Sequence, residues 1–181
     1  MNSKVTIGSE EWVSLGELNI PHIKARIDSG AKTSSLHALN IQPYQKDGHT
    51  WVSFDVYPIQ NDGKRRVKCN ALVKDKRVVK SSTGNREQRF VIQSFMTIGV
   101  NTWAIELTLT NRDSMGYRML LGREAMKGRL IVDPEKSFSL GTISDATVMG
   151  SLQHVILKTT VRLCDGCRGV WKDEVMRAIS S

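Results

Sequence analysis

Short β-type runs, separated at close spacing by turn signals, constrain this chain more than any other feature. Val5-Thr6-Ile7, Trp12-Val13 and Ile23 to Ile27 are broken by Gly8, Gly16 and Pro21, residues that punctuate strands. Trp51 to Tyr57 alternates with period two, as a half-buried strand does. Asn61-Asp62-Gly63 is a turn signal, so a strand over Val67 to Val73 is expected to pair back as a hairpin. Further strands are predicted near Arg89 to Ile98, Trp103 to Thr110, Tyr117 to Leu121, Leu130 to Val132 and Phe138 to Leu140. Before residue 141 the pattern supports one helix, a turn or two after Gly122. The fold class that follows is all-β, a barrel or a sandwich.

Within that frame, Ala25-Arg26-Ile27-Asp28-Ser29-Gly30-Ala31 reads as a strand that delivers an Asp to a loop. Gly30 lets the backbone turn where a side chain would obstruct it. Ser29 offers a hydroxyl for local backbone hydrogen bonding, and loops held on rigid scaffolds are where catalytic groups tend to sit. An ordinary Asx or Ser turn closing a strand would look the same over these three residues. A second stretch, Met119-Leu120-Leu121-Gly122-Arg123-Glu124-Ala125-Met126, reads as a buried strand, a Gly and a short helix.

Together these two stretches resemble the retropepsin-like aspartic proteases, in which an apolar-apolar-Gly strand passes beside an Asp-(Ser/Thr)-Gly-Ala loop. Ile23 to Ala38, Val79 to Gly84 and Leu107 to Arg112 are similar to a bacterial branch often labelled "ATP-dependent zinc protease". The resemblance covers residues 5 to 141. It implies a retropepsin-like barrel over 1–141, followed by an extension over 142–181 of unknown role. It also implies an aspartic endopeptidase, a hydrolase with Asp28, Ser29 and Gly30 as its catalytic loop. The chain holds one Asp-Ser-Gly. Two carboxylates sharing a proton are needed for this hydrolysis, so a homodimer is expected. Retropepsins close a hairpin over substrate, and Ser81, Ser82, Thr83 and Gly84, with Asn85, occupy the corresponding place.

One departure from the pattern concerns charge. Retropepsins commonly place an Asp after Asp-Ser-Gly-Ala, paired with the Arg that follows the apolar-apolar-Gly. Here Lys32 stands there while Arg123 remains, so Arg123 needs another partner: Glu124, Glu106 or a substrate carboxylate. The formal net charge is +8, and residues 62–89 hold ten Lys or Arg against Asp62, Asp75 and Glu87, a local +7. Such a surface is either a solvated face or a funnel for an acidic substrate. On the second reading Ala31, Lys32 and Arg123 join the hairpin tip in binding an acidic or glutamate-rich peptide or protein.

Rival chemistries find less support. His22, His37, His49 and His154 lack metalloprotease spacing, and Cys164-x-x-Cys167 is half of a zinc site at most. No phosphate-binding G-x-x-x-x-G-K-[ST] occurs. No cofactor and no metal is therefore expected. A basic nucleic-acid-binding barrel is the second class, but Trp12, Trp51 and Trp103 sit in apolar strand contexts and read as core, so nucleic acid is not an expected partner. A catalytically silent peptide-binding module is the third. No apolar run approaches the ~18 residues of a membrane span, and the first residues lack a signal peptide's apolar core. Three cysteines fit a reducing compartment, so a cytoplasmic protein is expected. After Gly141 the sequence allows a terminal helix with Trp171, Val175, Met176 and Ile179 on one side, in a subdomain, an oligomerisation element or a tail.

Overall fold

A computed structural model describes residues 4–164, apart from 61–62, 81–83, 85 and 112–115. In chain order the strands are β1 (Val5–Ile7), β2 (Glu10–Leu15), β3 (Ile20–Asp28), β4 (Ser34–His37), β5 (Leu39–Lys46), β6 (His49–Val56), β7 (Val67–Lys80), β8 (Arg86–Ile98), β9 (Asn101–Thr110), β10 (Met119–Gly122) and β11 (Leu130–Val132). The helices are α1 (Arg123–Met126) and α2 (Asp145–Cys164). The chain is all-β up to α2, with α1 where a helix was expected after Gly122.

Nine strands follow the order β2-β3-β10-β4-β9-β8-β7-β6-β5, and β2 also pairs with β8. That extra pairing closes β2, β3, β10, β4, β9 and β8 into a ring. Closure removes the exposed edges of these strands. β7, β6 and β5 continue beyond the ring as an antiparallel arm; β6 and β7 pair back as expected, while Asn61 and Asp62 of the expected turn lie outside the described residues. β1 and β11 pair in parallel as a separate ribbon.

The core is set by alternation. β2 buries Glu11, Val13 and Leu15 and turns the intervening residues outward. β3 contributes Ile20, Ile23 and Ala25, and β9 contributes Trp103, Ile105, Leu107 and Leu109. Trp103 is core, as read from sequence, and its indole N–H donates to the Ala125 carbonyl at 2.9 Å. Trp12 packs against the core edge. Trp51 does not follow: its register partners are Tyr44 and Leu72, both exposed, so it lies on the outer face of the arm.

One further expectation needs correction. Phe138 to Leu140 is not a strand but a strap crossing β2, with Phe138 at φ 53°. The cause is Glu11, fully buried, whose carboxylate accepts N–H groups from Gly8 (2.8 Å), Ser139 (2.8 Å) and Leu140 (3.3 Å). A strand would need those amides for a ladder. α2 starts in the extension, for which the sequence offered no single reading. Its signal is local: Ser144 accepts the Thr147 N–H at 3.2 Å, a helix N-cap. Val148 and Leu152 then fall on one face and join the barrel's core. The terminal helix around Trp171 lies outside the described residues, as does Cys167.

Cys69 is buried in β7, and burial first, then the Asp55 charge, pushes its thiol up to about 12. Thiolate, the nucleophilic form, is thus withheld. Iodoacetamide at neutral pH is expected to leave Cys69 unmodified until denaturant is added, as read by peptide mapping. The same shift makes protonated Cys69 a source of stability that is complete below 9.0 and lost as pH rises through about 12. Rapid labelling of the folded chain at Cys69 would refute both statements.

Candidate functional site

The site begins where β3 ends. Gly122, the last residue of β10, pairs with Asp28, the last of β3. β10 runs parallel to β3 on one side and antiparallel to β4 on the other. The chain therefore leaves β3, turns through Ser29 to Thr33, and re-enters the sheet across β10. Asp28 itself closes the turn. Its Oδ1 accepts the N–H groups of Gly30 (3.0 Å) and Ala31 (3.1 Å), and its carbonyl accepts the Ala31 N–H at 3.3 Å. Among the described residues, Oδ2 has no hydrogen-bond partner.

Beneath the turn the support is polar and buried. Ser34 is almost fully buried, and its Oγ accepts the Gly122 N–H at 3.0 Å while its carbonyl accepts the Thr108 hydroxyl at 3.2 Å. Hydrophobic patterning could not have found this seryl pin. Gly122 is there because nothing larger fits: a Cβ would stand 2.7 Å from the Thr33 carbonyl carbon and 2.9 Å from the Ser34 nitrogen. After Gly122 the backbone N–H groups of Arg123 and Glu124 donate to the Ala31 and Lys32 carbonyls at 2.9 and 3.2 Å. α1 is in this way stitched onto the loop.

Arg123 takes neither of the protein partners that sequence offered. Its Nη1 donates to the Gly30 carbonyl at 2.9 Å, so the guanidinium braces the Asp28 loop through its backbone. Glu106 is engaged elsewhere, by Arg77 at 2.6 Å and Lys74 at 2.9 Å, and these two hold its carboxyl down to about 2. Arg123 also lines a cleft of about 530 Å³, together with Lys4, Ser29, Glu124 and Lys127. Ala31 is partly buried in the turn, and Lys32 is exposed beside it.

The expected hairpin exists: β7 and β8 pair antiparallel from Val73 to Lys80. Of its tip, Gly84 is exposed with φ +88°, a left-handed conformation that suits glycine. Ser81, Ser82, Thr83 and Asn85 lie outside the described residues. The +7 of this segment is weaker than the sequence count suggests. Arg66, Lys74, Arg77 and Arg89 form ion pairs, and two of the acids they use, Asp55 and Glu106, lie outside 62–89. Counting those two lowers the local balance from +7 to +5. Among the described residues no group of three or more His, Cys, Asp or Glu is placed to hold a metal ion. No helix among them is long and apolar enough to cross a membrane.

Comparison with known proteins bears on what the loop is for. Residues 6–142 match the family model described as RimB-like, retropepsin-like aspartic endopeptidase RimB. Proteins named "probable alpha-L-glutamate ligase" are similar to this chain: that of Shewanella pealeana is 55% identical over 147 residues, and that of Desulfotalea psychrophila 58% over 142. These alignments cover 81% and 78% of this chain but only 32% and 31% of the relatives, so the chain spans about a third of their length. A crystal structure of a protein of unknown function from Legionella pneumophila is 29% identical, with a TM-score of 0.65, and covers 77% of this chain and 100% of that one. The relatives' names correct the expected activity. Proteins 54–58% identical to this chain are named as ligases, which join where a protease cuts, so the aspartic endopeptidase, hydrolase and protease readings are not supported. The retropepsin-like barrel stands; one fold hosts more than one chemistry.

Proposed function

The chain belongs to the RimB-like family of retropepsin-like aspartic endopeptidases, and from that premise we propose that it serves α-L-glutamate ligation as the module that holds the acidic acceptor. The observation that carries this reading is the 54–58% identity to probable α-L-glutamate ligases over most of this chain. The site's chemistry supports it. A growing run of glutamates is polyanionic, and its carboxylates need cations held at fixed positions. In this reading Lys32 and Arg123 receive them beside the loop. Charge-assisted hydrogen bonds of this kind are about twice as strong as neutral ones. Asp28, with Ser29, Gly30 and Ala31, offers its Oδ2 to a peptide N–H, and the tip Ser81 to Gly84 closes over the bound chain.

Residues 1–141 form the module in this reading, and 142–181 is the extension whose helix docks on it. The working partner is an acidic peptide or protein in the cytoplasm, where Cys69 stays reduced. The homodimer expected for hydrolysis no longer has that motive, since holding a peptide does not require a second Asp28.

The test supplies this chain in trans to a glutamate ligase relative whose matching third has been deleted, with glutamate incorporation read by mass spectrometry. Incorporation is expected to be restored by the wild type. Asp28→Asn is expected to lower it about tenfold, the cost of one hydrogen bond to a charged group. No restoration by the wild type would overturn the reading. So would shortening of the acidic peptide by the chain alone, abolished in Asp28→Asn.

A further inference from the structure

The outer face of the arm is not used by the loop. Strand register places Tyr44 opposite Trp51, and Trp51 opposite Leu72, in one row across β5, β6 and β7. The next row is Gln42, Ser53 and Asn70, from the same pairings. Opposite residues in such pairs have Cβ atoms about 5 Å apart. The rows therefore form a continuous strip, with two aromatic side chains at its centre and amides beside them. Tyr44 is 37% exposed and Leu72 46% exposed, while the alternate residues Val52 and Phe54 fill the core behind. Lys46 flanks the aromatic row, its ammonium 5.3 Å from the Trp51 ring centroid. Lys68 lies beyond Asn70 on the same side of β7, exposed and with no ion pair among the described residues.

A row of aromatic rings, carboxamides beside it and lysines at both ends is a combination with a specific complement. Rings take flat π-faces, amides take base edges, and ammonium groups take phosphates. We propose that this face of the arm binds single-stranded nucleic acid, with bases on Tyr44 and Trp51 and the backbone on Lys46 and Lys68. A base stacking on Trp51 replaces the Lys46 contact and frees that ammonium for a phosphate. The chain's net +8 favours the same class of partner. An acidic peptide would use the lysines but leave the rings without a planar ligand. A second copy of the face would bring like charges together. Stacking contributes about 1–3 kcal/mol per base, whatever the base.

Fluorescence anisotropy of the full chain with a labelled single-stranded oligonucleotide tests this, run with RNA, DNA and an oligoglutamate peptide of equal charge. Either nucleic acid should bind, more weakly as salt rises. The comparison of RNA with DNA identifies which source the face prefers. Trp51→Ala and Tyr44→Ala should each weaken binding about tenfold, and Trp51→Phe should keep most of it. Lys136→Glu, a charge reversal outside the arm, should alter affinity less than about twofold by the weak worth of exposed charges. Should Trp51→Ala not fold by circular dichroism, Tyr44→Ala carries the test. Affinity for the peptide equal to that for the oligonucleotide, or affinity unchanged in Tyr44→Ala, would overturn the proposal, as would the absence of binding.

Discussion

Gly122→Ala is expected to lower the melting temperature by about 6–12 °C, from a loss of about 3 kcal/mol. Backbone strain is not the reason, because Gly122 has φ −82° and any residue adopts that. The reason is contact. A methyl group would stand 2.7 Å from the Thr33 carbonyl carbon and 2.9 Å from its oxygen, and both are backbone. Thr33 cannot yield alone, since Ser34 beside it is pinned to Gly122 and to Thr108. The clash would therefore move the Asp28 turn, and acceptor binding should weaken along with stability. Gly150→Ala offers the contrast. It lies in α2, its added Cβ meets nothing within 4 Å, and alanine there should raise stability by about 0.5–1 kcal/mol. Circular dichroism melts of both variants check the pair. A shift for Gly122→Ala smaller than that for Gly150→Ala would remove the steric argument.

What the sequence disclosed of this fold was whatever alternation and turn chemistry carry. Trp51 to Val56, the pairing of β6 with β7 and the Gly122-to-helix step were legible because each depends on neighbours close in sequence. β4 was not, since Ser34 and Ser35 are buried polar residues whose partners come from β9 and β10. Trp51 was misread for a related reason: its apolar setting is real, but the barrel ends before β6, and its face of the arm looks outward. The loop was legible as a turn with an Asp, and Arg123 as a cation in need of a partner. That the partner is the Gly30 carbonyl could not be read, because a backbone acceptor leaves no mark on residue identity.

Glu11→Ala should be the most damaging single truncation outside the core's large apolar residues, at about 3–5 kcal/mol. Adjacent Glu10 and Glu11 look alike in sequence. Glu10 reaches outward to Arg26 at 2.7 Å, whereas Glu11 is fully buried beneath the strap. Its carboxylate accepts three backbone N–H groups, two at 2.8 Å and one at 3.3 Å. Each amide left without an acceptor costs about 1–3 kcal/mol where water cannot replace it. The Gly8 N–H lies deepest. The Ser139 and Leu140 amides are nearer solvent and recover part of the loss, so the total falls below the sum of three. Glu11→Gln keeps one carbonyl oxygen for Gly8 and Ser139 but turns an NH₂ toward the Leu140 N–H, and should cost about 1–2 kcal/mol. Phe138, held at φ 53° by the same strap, should then relax, and its ring should leave Trp12, 6.3 Å away in the intact chain. Urea unfolding of the two variants gives the energies, and tryptophan emission reports the strap. Equal costs for Ala and Gln would show that the site needs only a filled space, and the carboxylate clamp would have to be abandoned.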